Sequence, residues 1–120
     1  MTEQKVNPAE PNPAVMEFLQ TRRSRPAKTL TGPAPDRAAL APILRAAART
    51  PDHGKLEPWR FIVLGPQALA QLARAVPARG AELGIDADKV EKMRRQFADA
   101  ELAVAVVESP KETDKFPPIE

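Results

Sequence analysis

Cysteine and tyrosine are absent from the 120-residue sequence, and histidine and tryptophan occur once each. Without cysteine there is no disulfide framework and no thiolate metal site, and a single histidine leaves a zinc centre without its usual ligands. Aromatic residues make up only 4%, which argues against a stacking platform for single-stranded nucleic acid. No apolar run approaches the roughly 20 residues that cross a bilayer. Residues 1–13 are polar and proline-rich with no apolar stretch, so they do not read as a secretory signal. The expectation is a soluble, cytoplasmic protein of at most one domain, its 42% apolar fraction slightly low for a core of this size.

What the chain does contain is proline, 14 in all, and an uneven distribution of charge. The formal net charge of +2 is too small to imply nucleic acid by itself, but residues 1–60 carry ten Lys/Arg against six Asp/Glu, and residues 61–120 carry eight against ten. A basic excess confined to one half points to a local anionic partner rather than a whole-surface one.

Residues 1–12 read as a disordered lead-in. Asn12 and Pro13 suit the N-cap and first position of a short helix, and Val15, Phe18 and Leu19 fall on one face of it, with an end predicted near residues 21–23. There follows Arg22-Arg23-Ser24-Arg25-Pro26. Pro26 disfavours a helical Arg25, so the segment should be extended by Ser24, with Arg22 and Ser24 sharing one side. A guanidinium beside a hydroxyl is a good donor set for phosphate; the competing reading is that these cations complement a helix C-terminus and are otherwise solvated.

Residues 28–35 read as a loop. Asp36 can cap a helix to about Arg49 with Leu40, Ile43, Leu44 and Ala47 inward, either starting near Leu40 or bending at Pro42; Arg45 and Arg49 would lie one turn apart. Trp59–Leu64 is a strand, and a helix from Ala68 to about Val76 should end near Pro77 and Gly80. Asp86 or Asp88 can cap a helix to about Ala98 with Val90, Met93 and Phe97 inward, and residues 102–107 form a second apolar strand. There are no internal repeats. Two strands that each read as covered on both faces cannot satisfy a sheet alone, so a partner chain or further sequence should supply their neighbours.

The chain is organised around residues 49–59, Arg-Thr-Pro-Asp-His-Gly-Lys-Leu-Glu-Pro-Trp, which hold the single histidine, His53, and the single tryptophan, Trp59. Two prolines, a glycine and an aspartate should make this a stiff polar loop able to hold a ligand, with Asp52 setting the turn and Trp59 packing. An isolated loop histidine reads first as a surface or hydrogen-bonded structural residue.

Arg22-Arg23-Ser24 after a short first helix, then Arg49-Thr50-Pro51-Asp52-His53 and Glu57-Pro58-Trp59-Arg60-Phe61-Ile62-Val63 entering the first core strand, resemble the small FMN-dependent nitroreductase family, in particular its short bacterial branch with a Pro-Asp-His loop. The resemblance runs from about Pro13 to Glu120 in element order. It implies an α+β, nitroreductase-like fold, a mixed sheet with surrounding helices, here stopping after the second core strand. On this reading residues 1–12 are the lead-in and residues 13–120 the N-terminal part of an FMN-binding domain.

It further implies a homodimer with FMN at the interface that passes hydride equivalents from NAD(P)H to nitroaromatics, quinones or similar small acceptors, with no nucleic acid and no membrane. By position, Arg22, Arg23 and Ser24 would hold the phosphate and ribityl end, and Arg49 and His53 would contact the flavin. No side chain need act as acid, base or nucleophile. Family members usually continue for another ~70 residues, within the ordinary single-domain range. Many carry an Asn or Lys flavin contact before the second strand, for which residues 93–96 offer no clear equivalent. A second, non-enzymatic reading is a truncated chain whose Arg22–Arg25 segment binds a nucleotide, nucleic acid or an acidic partner.

Overall fold

A computed structural model describes residues 8–52 and 54–112. Helix α1 spans Pro13–Thr21, α2 Arg37–Ala47, α3 Pro66–Glu82 and α4 Ala87–Ala98; strands β1 and β2 span Trp59–Leu64 and Ala103–Glu108. The mixture of α-helices with antiparallel strands is α+β, as expected. A short 3-10 turn, Ala27–Thr29, lies where the sequence reads as loop. No helix among the described residues is long and apolar enough to cross a membrane.

The helix starts follow from local chemistry. Asn12 Oδ1 accepts from the Val15 amide at 3.3 Å and Pro13 occupies the first helical position. Asp36 Oδ1 accepts from the Ala39 amide at 2.8 Å, satisfying a donor that the helix itself leaves free. The α2 helix therefore starts at Arg37 and continues through Pro42 rather than starting at Leu40. It closes at Ala47, so Arg49 sits in the turn that follows and is not a helical neighbour of Arg45.

The expectation for α3 needs a larger correction. Instead of ending near Pro77, the helix runs 17 residues through it to Glu82. Proline inside a helix costs one hydrogen bond and about 3 kcal/mol, yet the stripe Leu69, Ala73 and Gly80 is buried on both sides of Pro77, and packing against α4 outweighs the loss. Gly80 allows the closest approach, because a Cβ there would lie 2.5 Å from Val90 Cγ2. The true stop is Gly84, at φ 66°, with the Ile85 amide donating to the Gly80 carbonyl at 3.0 Å, a left-handed C-terminal cap. Of the three residues expected inward on α4, Val90 and Phe97 are half-buried, while Met93 is exposed.

β1 and β2 pair antiparallel, with Phe61 opposite Val106 and Ile62 opposite Ala105. They are not covered on both faces as their apolar runs implied. β1 touches α3, but Val63 and Val106 share a face that is open, Val106 to 70%. Helix α1 likewise buries none of its residues, with Phe18 64% exposed. The Cα radius of gyration is 19.4 Å, against roughly 14 Å for a compact domain of this length. The core is correspondingly small: Leu40, Leu69 and Ala73 are its buried apolar side chains among the described residues.

Candidate functional site

The exit of α1 builds the first part of the site. Arg22 caps the helix with an extended backbone, φ −63° and ψ 149°, and its amide closes the last turn on the Phe18 carbonyl at 2.8 Å. Extension brings residues two apart onto one side, and Arg22 Nη2 donates to Ser24 Oγ at 2.9 Å. The Ser24 oxygen uses a lone pair in that bond, so its own proton stays available to a further acceptor, as do the remaining Arg22 N–H groups. Arg22, Arg23, Ser24 and Arg25 are all exposed. Among the described residues, none of the three guanidinium groups is paired with a carboxylate.

The second part is the loop from α2 to β1. Thr50 Oγ1 donates to the Ala47 carbonyl at 3.0 Å, and Arg49 lies exposed in the same turn. Asp52 Oδ1 accepts from the half-buried Leu56 amide at 2.8 Å. The aspartate therefore holds the turn, as its residue type implied. Gly54, Lys55 and Glu57 have φ of 63°, 57° and 47°, a left-handed path that costs lysine and glutamate what it does not cost glycine. At its far end the loop is fastened to the sheet, where the Ser109 amide donates to the Pro58 carbonyl at 2.7 Å. Trp59 is half-buried at the start of β1.

Of the five expected cofactor contacts, Arg22 and Ser24 are joined directly. Arg23 and Arg49 are exposed, and His53 lies outside the described residues. No hydrogen bond or ion pair among the described residues links the Arg22–Ser24 segment to residues 49–59. Among the described residues, an apolar groove lined by Pro66, Leu69, Ala73, Phe97 and Ala100 contains none of Arg22, Arg23, Ser24 and Arg49 and no charged group, so it is packing space between α3 and α4 rather than an anion site. No set of three or more His, Asp or Glu residues is placed to hold a metal among the described residues.

The residue that sequence reasoning missed is Glu101. Its Oε2 accepts from the Ala34 amide at 3.2 Å across 67 positions of sequence. A carboxylate between a helix and a strand carries no periodicity signal and reads as a solvated turn residue, so only the tertiary arrangement exposes its reach.

Comparison with known proteins gives the family. The sequence model of the nitroreductase family matches residues 19–116. The chain is 37% identical over 92 residues to a Haemophilus influenzae protein named "Putative NAD(P)H nitroreductase", covering 77% of this chain and 49% of that one. It is 33% identical over 102 residues to "Putative NAD(P)H nitroreductase YdjA" of Escherichia coli K12, covering 85% and 55% respectively. The chain thus spans about half the length of the curated relatives it matches. It belongs to the nitroreductase family.

Proposed function

We propose that this member of the nitroreductase family is a cytoplasmic, FMN-dependent oxidoreductase that takes hydride equivalents from NAD(P)H and delivers them to a nitroaromatic, quinone or similar small acceptor. The observation that carries the reading is the Arg22–Ser24 pair, a guanidinium and a hydroxyl already joined at 2.9 Å, exposed and without a competing carboxylate among the described residues. That donor set fits a phosphate monoester: forked charged donors from arginine and one neutral donor from serine.

In this reading Arg22, Arg23 and Ser24 hold the phosphate and ribityl end, while Arg49 and His53 contact the ring system. Bound FMN would supply the hydride chemistry. The chain's own work is to bind and orient. The arginines neutralise the phosphate, and the Asp52-held turn limits the positions open to the loop between α2 and β1.

A homodimer with the cofactor at its interface is part of the same proposal. The uncovered faces of α1 and of the β1–β2 pair support it, since exposed apolar patches mark interaction surfaces. Phe18→Asp should then reduce self-association of the 120-residue chain in sedimentation velocity, and an unchanged profile would remove α1 from the interface.

The function itself is tested by titrating the purified chain with FMN. Saturable quenching of flavin fluorescence, lost in the Arg22→Ala/Ser24→Ala double variant, is the expected result, with bleaching of the bound flavin on anaerobic addition of NADH or NADPH. Absence of flavin binding, together with steeply salt-dependent binding of a polyanion, would favour the non-enzymatic reading of the basic segment.

A further inference from the structure

Four of the five proposed cofactor contacts can be located, Arg22, Arg23, Ser24 and Arg49, and all lie before β1, in a part of the chain whose connection to the rest is thin. Helix α1 buries nothing, and Leu40 is the one buried residue of α2. Among the described residues, one side-chain hydrogen bond crosses from residues 8–58 to residues 59–112, and it is the Glu101 Oε2 bond to the Ala34 amide at 3.2 Å. The contact is intimate, since a Cβ on Gly32 would fall on both carboxylate oxygens of Glu101. Glycine at 32 thus leaves the space that the carboxylate occupies.

The position of the tie gives it leverage. Ala34 lies two residues before Asp36, the N-cap of α2, and Glu101 lies two residues before β2 begins at Ala103. A helix of 11 residues is a rod of roughly 16 Å; fixing its first end constrains where its last turn, Arg49 and the Asp52-held loop can lie. The loop's other end is already fastened through Pro58 to Ser109. Glu101 and Ser109 flank β2, so the two ties hold α2 and its loop at opposite ends of the same strand.

We propose that Glu101 is a positioning residue for the anion site: its carboxylate docks the segment before α2 onto the base of β2 and so sets the placement of Arg49 and the loop that follows. The inference rests on the flavin reading for its functional consequence, but the tie can be tested without flavin.

The experiment compares wild type, Glu101→Ala, Glu101→Gln and Gly32→Ala as 120-residue chains, by amide hydrogen exchange and by FMN titration. In Glu101→Ala and Gly32→Ala the Ala34 amide should exchange about threefold to tenfold faster, the range for losing one exposed hydrogen bond, and FMN should bind more weakly by a similar factor. Glu101→Gln keeps an acceptor oxygen and should restore both, while amides of the β1–β2 ladder exchange as in wild type throughout. Unchanged Ala34 exchange in Glu101→Ala overturns the proposal, and so does a uniform loss of protection that includes the ladder, which would make Glu101 a global stability residue. If the Ala34 response appears but wild type binds no FMN, the flavin reading fails and the docking role of Glu101 stands.

Discussion

Arg22 Nη2 and Ser24 Oγ lie 2.9 Å apart in a hydrogen bond that the arginine donates. The bond fixes the direction of a long side chain that would otherwise be free, and it lowers the entropy still to be lost when an anion arrives. A donor pair that is arranged beforehand binds more tightly than the same two groups moving independently.

The geometry separates arginine from lysine at this position. Arg22→Lys preserves the charge but removes the fork and the reach to Ser24, so FMN affinity should fall by about tenfold, equivalent to about 1.4 kcal/mol, and a single ammonium should leave a larger share of what remains dependent on salt. Fluorescence titration at two ionic strengths measures both quantities. Equal affinity for the lysine variant would mean that only charge matters at this corner.

The α3–α4 contact depends on one missing side chain. A Cβ at Gly80 would meet Val90 Cγ2 at 2.5 Å and Cγ1 at 3.2 Å, and both atoms belong to a stiff β-branched residue that has little room to rotate away. Gly80→Ala gains helix propensity of about 1 kcal/mol but must spread the helices, whereas Gly80→Val adds further bulk. Valine should destabilise by about 1–3 kcal/mol, with alanine between valine and wild type. The Gly80→Ala/Val90→Ala double variant should recover part of the loss, read from urea midpoints by circular dichroism.

Secondary structure was legible where a single residue decides it. Asn12 and Asp36 cap the helices they were expected to cap, Trp59 opens β1, and the chain leaves α1 extended at Arg22, with Arg22 and Ser24 joined. It was not legible where a tertiary contact overrides a local rule. Pro77 is a helix breaker by its chemistry and sits inside α3 because the stripe on both sides of it packs on α4, while the signal for the actual end, Gly84, lies beyond the apparent break. Apolar runs in β1 and β2 likewise promise two covered faces, but a run cannot say whether the cover comes from the described chain. The Glu101–Ala34 tie spans 67 residues and leaves no periodic trace at either end.

The loop before β1 holds Glu57 at φ 47° immediately before Pro58. Positive φ costs a non-glycine residue about 1–2 kcal/mol, and a following proline narrows its choices further. Glu57→Gly relieves the first cost and adds freedom to the unfolded chain, for a net gain of up to about 1 kcal/mol. Asp52→Ala should act oppositely, removing the acceptor of the half-buried Leu56 amide at about 1 kcal/mol. Thermal unfolding of the two variants should bracket wild type. A destabilised Glu57→Gly would show that the glutamate side chain makes a contact worth more than the backbone relief.

Acid should weaken α4 through Glu91. Its carboxylate accepts from Arg94 Nε and Nη2 at 2.8 and 2.7 Å, and Arg95 Nε stands 3.3 Å away. The Arg94 hydrogen bonds, the largest effect, hold the Glu91 carboxyl below the ordinary glutamate range; desolvation comes next and opposes them, and the charges of Arg94 and Arg95 add smaller downward effects. A carboxyl with a lowered folded-state value binds its proton less readily when folded than when unfolded. Its contribution is therefore complete above the unfolded value, near pH ~4.3, and disappears as pH falls through the lower folded value. The group is exposed, so the effect is small and sensitive to salt. Between pH 5 and pH 2.5, Glu91→Gln should lose less helical circular dichroism and less thermal stability than wild type, and at pH 7 it should be the less stable of the two. Adding 1 M salt should narrow the difference at pH 7; a gap that persists unchanged would place the role of Glu91 in packing rather than in charge.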